Sequence, residues 1–171
     1  QPTIKLVNAY HPLLFLQNKQ NKKTTIPLNL NLDVQNRILI ISGPNAGGKS
    51  ITLKTVGLLQ MMLQSGLLVS AAEGSVMSLF QQIQSDIGDS QSIEYELSTY
   101  SSRLVKMKHF LEHANRRTLV LIDEFGTGSD PELGGAIAEV ILEELAKKKA
   151  FGIVTTHYTN IKLVAENLHG V

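Results

Sequence analysis

A glycine-rich segment at residues 43–50 constrains the fold of this chain more than any other feature. It reads GPNAGGKS and matches the pattern G-x-x-x-x-G-K-[ST] in full. The preceding residues 38–41 are all apolar, which favours a strand buried on both faces of a parallel sheet. A helical pattern follows Gly48 and ends near Gly66. A buried strand that leads through a glycine-rich turn into a helix is typical of an α/β fold with a phosphate-binding loop.

The residue types in this loop suit phosphate binding. Glycine lets backbone N–H groups converge on phosphate oxygens without Cβ clashes, and the helix N-terminus adds its positive pole. We expect Lys49 to neutralise the β- and γ-phosphates and the Ser50 hydroxyl to ligate Mg²⁺. The loop therefore predicts ATP and Mg²⁺ as ligands. The residues expected to bind the nucleotide are Gly43, Pro44, Asn45, Ala46, Gly47, Gly48, Lys49, Ser50 and Ile51.

Two further apolar runs predict strands of the same sheet, and each is followed by polar residues. Residues 119–122 precede Asp123 and Glu124, and residues 151–154 lead to His157. Because parallel strands end at one ligand-binding edge, these side chains are expected around the phosphates. We expect Asp123 to hold Mg²⁺, usually through water, and Glu124 to deprotonate the attacking water. His157 is expected to reach the γ-phosphate and report its hydrolysis, although a packed or capped histidine is the alternative.

Helical and strand patterns elsewhere complete the expected architecture. Alternating leucines at 28–32 predict a half-buried strand, whereas residues 17–25 read as a solvated loop. Asp130-Pro131 is a favourable start for a helix. The apolar face of that helix is expected to carry Ile137, Val140, Ile141 and Leu145. The stripe of another helix is expected to comprise Leu97, Tyr100, Leu104, Met107, Leu111 and Ala114. The predicted fold class is α/β, with a mostly parallel sheet flanked by helices and an antiparallel N-terminal strand portion.

Composition excludes several classes of protein. A chain of 171 residues fits one domain, and 43% hydrophobic with 18% charged residues lies in the globular range. Cysteine is absent, which excludes disulfides and thiolate metal sites and is compatible with a cytoplasmic protein. No apolar run approaches a membrane span, and a net charge of +1 predicts no nucleic-acid binding by this segment alone. The abrupt ends suggest a single domain, residues 1–171, excised from a longer protein.

One histidine pair has metal-ligand spacing outside the predicted phosphate site. His109 and His113 are four residues apart on the helix predicted by the apolar stripe from Leu97 to Ala114. Such a pair can chelate a metal ion, but without further ligands a solvated helix face is the favoured interpretation.

Taken together, these motifs resemble the ATPase domain of the MutS family, which belongs to the P-loop NTPases of ATP-binding-cassette type. The resemblance covers nearly the whole chain. It rests on the phosphate loop at 41–50, the acidic motif at 123–128, the histidine motif at 155–158 and the entry segment at 10–14. Residues 86–94, 97–102 and 128–131 are similar to the second bacterial branch of the family, and the mismatch-repair branch differs there.

The resemblance implies a dimer with two composite ATP sites. Ser98 would reach across to the γ-phosphate of ATP on the partner subunit, and residues 126–130 would line the dimer interface. Ile26 would pack against adenine by its position in the family. The pair Gly134-Gly135, unfavourable in a helix, is expected to allow close approach of the partner.

The resemblance also implies a role for the parent protein. The branch is associated with branched DNA, suppression of homologous recombination and, in some members, stalled ribosomes. Full-length members carry coiled-coil arms and usually a nuclease-like domain, which are not part of this chain.

Three functions remain open from the residues alone. The first is an ATPase that drives a dimeric DNA-binding protein. The second is a small-molecule kinase, which the paired acids and the lack of a recognisable arginine-bearing lid disfavour. The third is a nucleotide-sensing dimerisation module with little turnover of its own.

Overall fold

The computed structural model describes residues 1–43, 48–88, 96–126 and 131–171. Its elements in chain order are β1 (Ile4–Ala9), α1 (Pro12–Gln20), β2 (Leu28–Leu32), β3 (Ile38–Ser42), α2 (Lys49–Gln64), β4 (Val76–Met77), β5 (Gln82–Asp86), α3 (Glu96–His113), β6 (Thr118–Ile122), α4 (Pro131–Lys147), β7 (Phe151–Thr156) and α5 (Thr159–Asn167). No helix among the described residues is long and apolar enough to cross a membrane.

A four-stranded parallel sheet forms the centre of the molecule, in the order β3-β7-β6-β5. β6 and β7 are buried along their whole length, as their apolar runs predict. The register pairs Ser42 of β3 with Thr156 of β7, and Ile122 of β6 with Val154 of β7. The carboxyl ends of these three strands therefore meet at one edge of the sheet.

Each face of this sheet packs against a separate hydrophobic core. Leu119 and Leu121 face α2, whose Leu53, Val56 and Leu59 are fully buried. The alternate residues of β6 face the opposite side, where α3, α4 and α5 pack. A second, antiparallel sheet in the order β2-β1-β4 packs into the same core as α2. The expectation of a mostly parallel α/β fold with an antiparallel N-terminal portion is confirmed.

A carboxylate turn leads into β3, the strand before the glycine-rich loop. The Asp33 Oδ1 atom accepts hydrogen bonds from the N–H groups of Gln35 at 2.8 Å and Asn36 at 3.0 Å. These donors, Asn36 first and then Gln35, hold the pKa of the Asp33 carboxyl below its usual range. The turn thus fixes where β3 begins.

Several local expectations were wrong. Residues 17–20 form the last part of α1 instead of a loop, and α1 has no buried residue that would have given it an apolar periodicity. Val140 is 57% exposed, whereas Leu142 is fully buried, because α4 turns its 138–142–145 side toward the sheet. The polar strand β5 lies at the sheet edge, so it lacked the apolar run by which the other three strands of the parallel sheet were predicted.

The pair Gly134-Gly135 lies in the first turns of α4. Both glycines are buried against residues of their own chain. A Cβ at Gly135 would lie 2.9 Å from the Asn160 side chain, and the Gly134 carbonyl lies 3.0 Å from the Cβ position of Gly126. Close packing against Asn160 therefore accounts for Gly135, and the approach of a partner at this pair stays a prediction.

Candidate functional site

The start of α2 forms one wall of the candidate site. Gly43 and Gly48 adopt φ values of +143° and +78°, a region that L side chains rarely adopt. Lys49 opens the helix, is only 5% exposed, and donates a hydrogen bond from Nζ to the Gly43 carbonyl. The lysine head therefore lies beside Gly43, the first residue of the glycine-rich segment. Four residues of that segment fall outside the described part of the chain: Pro44, Asn45, Ala46 and Gly47. Ser50 follows in the first turn of α2.

A groove of about 470 Å³ runs from this helix start toward α1. Gly48 and Ile51 line it from α2, and Ile26 lines it from the segment before β2. Ile26 is 87% exposed, so its side chain is available to a ligand in the groove. The opposite wall includes Asn18, whose Nδ2 atom donates to Thr25 Oγ1 at 3.1 Å. The α1 segment carries no apolar periodicity, so neither this helix nor this wall of the groove was predicted.

Asp123 follows β6 directly and is held on two sides. Its N–H donates to the Asp86 carbonyl at 2.9 Å, which continues the pairing with the neighbouring strand β5. Its Oδ1 atom accepts a 2.5 Å hydrogen bond from the hydroxyl of Thr155 on β7. That length is at the short end of the range for a hydroxyl bound to a charged carboxylate. The side chain is 7% exposed, and its Oδ2 atom has no hydrogen-bond partner among the described residues.

Glu124 has an unusual backbone conformation for a residue with a side chain. Its φ is +50°, in the left-handed region that costs of order 1 kcal/mol or more for a non-glycine residue. Its N–H donates to Thr155 Oγ1 at 2.8 Å, and the next N–H, of Phe125, donates to the Thr155 carbonyl at 2.7 Å. Hydrogen bonds on both sides therefore keep Glu124 in this conformation at the end of the strand.

The segment after β7 is tied to the same acidic turn. His157 is exposed at the carboxyl edge of the sheet. Next to it, the Tyr158 hydroxyl donates to the Gly126 carbonyl at 3.2 Å, and the Thr156 hydroxyl donates to the Phe125 carbonyl at 3.2 Å. The turn that carries Glu124 and the segment that carries His157 are therefore joined as one unit.

Strand order determines how these groups meet. β7 lies between β3 and β6. Adjacent strands are about 4.8 Å apart, so the ends of β3 and β6 are separated by about 10 Å. This is a distance that a triphosphate with a hydrated divalent ion can bridge. The edge thus combines a buried lysine, a helix N-terminus, a hydroxyl and two carboxylates.

The residues present fit both Mg²⁺ and a nucleotide. Mg²⁺ prefers oxygen ligands and keeps several waters, which suits one carboxylate oxygen of Asp123 and the hydroxyl of Ser50. A triphosphate suits the N-terminus of α2 with Lys49, and the adjoining groove has the size of a ligand pocket. Ser98 lies in α3, but its side chain falls outside the described set, as do residues 127–130.

The histidine pair on α3 has a third potential ligand. Potential ligand atoms of His109, Glu112 and His113 all lie within 4.8 Å of one another on an exposed face. Glu112 also lies 3.8 Å from Lys108, with which it forms an exposed ion pair. This cluster is separate from the candidate site at the sheet edge.

Comparison with known proteins gives consistent matches over this chain. Residues 39–171 match the family model described as MutS domain V. A protein named Endonuclease MutS2 from Thermomicrobium roseum is 46% identical over 168 residues, which are 98% of this chain and 20% of that protein. Its namesake from Lactobacillus acidophilus is 48% identical over 165 residues, 96% of this chain and 20% of that protein. The chain therefore spans about a fifth of the length of these curated relatives.

Proposed function

This chain belongs to the MutS family, and on that premise we propose that it is the module that binds Mg-ATP and hydrolyses it to ADP and phosphate. The observation that supports the proposal is the meeting of two kinds of group at one sheet edge. The Lys49-bearing start of α2 follows β3, and Asp123 and Glu124 follow β6. Glu124 is partly exposed at this edge, and hydrogen bonds to Thr155 fix its backbone. A carboxylate in this position is best suited to activate water as the acceptor of the phosphoryl group.

Each residue has a defined part in this proposal. Residues 43–50 hold the phosphates, with the Lys49 ammonium against the β- and γ-phosphate oxygens. Glu124 accepts a proton from the attacking water. As it does so, the water oxygen bonds to the γ-phosphorus and the bond from that phosphorus to the leaving ADP oxygen breaks. Asp123 and Ser50 hold the metal, which when bound neutralises charge on the phosphate oxygens. His157 contacts the γ-phosphate and senses its release.

The groove beside α2 takes the nucleoside in this proposal. Ile26 offers an exposed apolar surface to one face of adenine, while Ile51 borders the same groove from the helix. A flat apolar contact of this kind suits a base that is recognised mainly by stacking and shape.

We also propose that the parent protein acts as a homodimer on DNA. In that dimer Ser98, in the first turn of α3, contributes to the ATP site of the partner subunit, since free N–H groups at a helix start attract phosphate. The relatives are named endonucleases, and in this proposal any cleavage by the parent belongs to its parts beyond the fifth that this chain spans. Branched DNA and stalled ribosomes are the two candidate targets of the parent.

Phosphate release from the full-length protein tests the proposal. Wild type is expected to release phosphate from ATP in the presence of Mg²⁺, and Glu124→Gln to bind ATP but to hydrolyse it about 10²–10⁴-fold more slowly. Glu166→Gln, which removes an exposed carboxylate on α5, serves as the matched control and keeps the wild-type rate. If wild type binds ATP tightly but releases no phosphate, hydrolysis is excluded and the chain is a nucleotide-sensing dimerisation module. A wild-type rate in Glu124→Gln would remove Glu124 from the mechanism.

A further inference from the structure

Thr155 has a position in the site that its sequence context did not reveal. It lies on β7, between the strands that carry the glycine-rich loop and the acidic pair, and its side chain is fully buried. Its hydroxyl accepts the Glu124 N–H at 2.8 Å and donates to Asp123 Oδ1 at 2.5 Å. A single side-chain oxygen therefore contacts both members of the acidic pair.

We propose that Thr155 is a positioning residue that prepares Asp123 for the metal and Glu124 for the attacking water. This inference rests on the proposed function, because it assigns to Thr155 a part in the same site. Thr155 acts through the two acids and contacts no substrate itself.

The chemistry of a hydroxyl explains why this residue type is required. A hydroxyl can donate one hydrogen bond while it accepts others, so it can serve a backbone N–H and a carboxylate at once. Donation to Oδ1 fixes the rotation of the Asp123 carboxyl group and leaves Oδ2 as the oxygen for the metal. Partners of metal-binding groups of this kind commonly change metal affinity or activity by 10- to 100-fold when they are removed.

The backbone of Glu124 gives the second part of the inference. Its left-handed conformation is flanked by two hydrogen bonds to Thr155, one to the hydroxyl and one to the carbonyl. Loss of the hydroxyl removes the hydrogen bond from the Glu124 N–H and retains the one from the Phe125 N–H to the Thr155 carbonyl. The direction in which the Glu124 side chain leaves the turn then becomes less well defined, while the strand pairing is preserved.

Thr155→Val is the informative variant, because valine keeps the shape of threonine and removes only the hydroxyl. The full-length protein is loaded with a fluorescent, non-hydrolysable ATP analogue in the absence of metal, and Mg²⁺ is then titrated in. In the absence of metal, Thr155→Val is expected to bind the analogue as wild type does. It is expected to need about 10- to 100-fold more Mg²⁺ than wild type for the metal-dependent change in fluorescence. Thr155→Ser, which restores the hydroxyl, is expected to stay within about threefold of wild type.

Thr118→Val controls for loss of a buried threonine hydroxyl elsewhere. Thr118 is also fully buried, its hydroxyl accepts the Asn115 N–H at 3.0 Å, and it lies at the opposite end of β6 from Asp123. The Thr118→Val variant is expected to need the same Mg²⁺ concentration as wild type.

The outcomes separate this inference from the proposed function. An unchanged Mg²⁺ titration in Thr155→Val, with metal-dependent binding intact in wild type, overturns the role of Thr155 alone. Absence of any Mg²⁺ response in wild type overturns the proposed function as well. An equal shift in Thr118→Val reduces the effect to general destabilisation and also overturns the positioning role.

Discussion

The guanidinium of Arg103 donates a 2.7 Å hydrogen bond to the main-chain carbonyl of Asp123. Its Nε atom also donates to Asp86 Oδ2 at 2.8 Å, and Lys106 Nζ donates to Asp86 Oδ1 at 2.9 Å. Two basic residues of α3 thus bind the end of β5, and one of them also binds the end of β6. Ser98 lies at the start of the same helix, so α3 links that position to the backbone of the acidic pair.

Loss of this bridge is expected to destabilise the domain. Arg103→Gln removes two hydrogen bonds that involve a charged group and are largely shielded from solvent, at a cost of about 1–3 kcal/mol in the free energy of unfolding. Lys106→Gln, whose side chain is 43% exposed, is expected to cost less than about 1 kcal/mol. Urea unfolding of the two variants measures the difference, and equal losses would contradict the bridging role of Arg103.

Gly126 is expected to tolerate no side chain. Its φ is +87°, and a Cβ would lie 2.7 Å from the Tyr158 ring. Gly74 has the same φ but open space around it, so Gly74→Ala measures the backbone strain alone, about 1 kcal/mol. Gly126→Ala is expected to lose a further ~1–3 kcal/mol from the clash, as is usual for overpacking. Thermal unfolding with equal shifts for both variants would contradict this account.

Lys49→Ala is expected to abolish ATP binding, because the buried Lys49 ammonium lies beside Gly43 of the predicted phosphate loop. Lys54→Ala, on the exposed side of the same helix, is the matched control and should bind as wild type does. Calorimetric titration with ATP and Mg²⁺ gives both affinities. Unchanged affinity in Lys49→Ala would refute the assignment of the loop.

Ser98→Arg is expected to prevent ATP-linked dimerisation of the full-length protein and to spare ATP binding by the monomer. A long cation at the start of α3 obstructs the approach to a partner's phosphates. Val105→Arg adds the same side chain two turns later, at a position that is 69% exposed, and should leave the dimer intact. Sedimentation of both variants with ATP decides the question, and normal dimers in Ser98→Arg would exclude the role across the interface.

Asp33 provides a prediction about pH. Because its folded pKa is lowered, its hydrogen bonds stabilise the fold above the usual pKa of about 3.9. That stabilisation is lost as the pH falls through the lowered folded value. Asp33→Ala should therefore be less stable than wild type at pH 7, and the difference should shrink in acid. Asp33→Asn keeps the hydrogen-bond acceptor but cannot titrate. A loss of stability in acid as large as that of wild type in this variant would therefore contradict the prediction.

Local features were readable from the sequence wherever one segment carries its own physical signal. Apolar runs predicted β3, β6 and β7, and the glycine-rich loop predicted the strand-to-helix turn at Lys49. The resemblance to the MutS family, drawn from the same motifs, is confirmed by the family match. By contrast, the polar edge strand β5 and the short helix α1 carry no such signal, and both were missed.

The amino-acid sequence alone determined which residues are the candidates for binding phosphate and metal, because glycines, a lysine and strand-end acids act through their own chemistry. Only the tertiary structure decided which residues hold those groups in place. Thr155 lies 32 residues from Asp123 in the chain but bonds to it, because parallel strands from distant segments become neighbours in the sheet. Arg103 and Gly135 acquire their roles in the same way, through contacts that no local pattern of residues encodes.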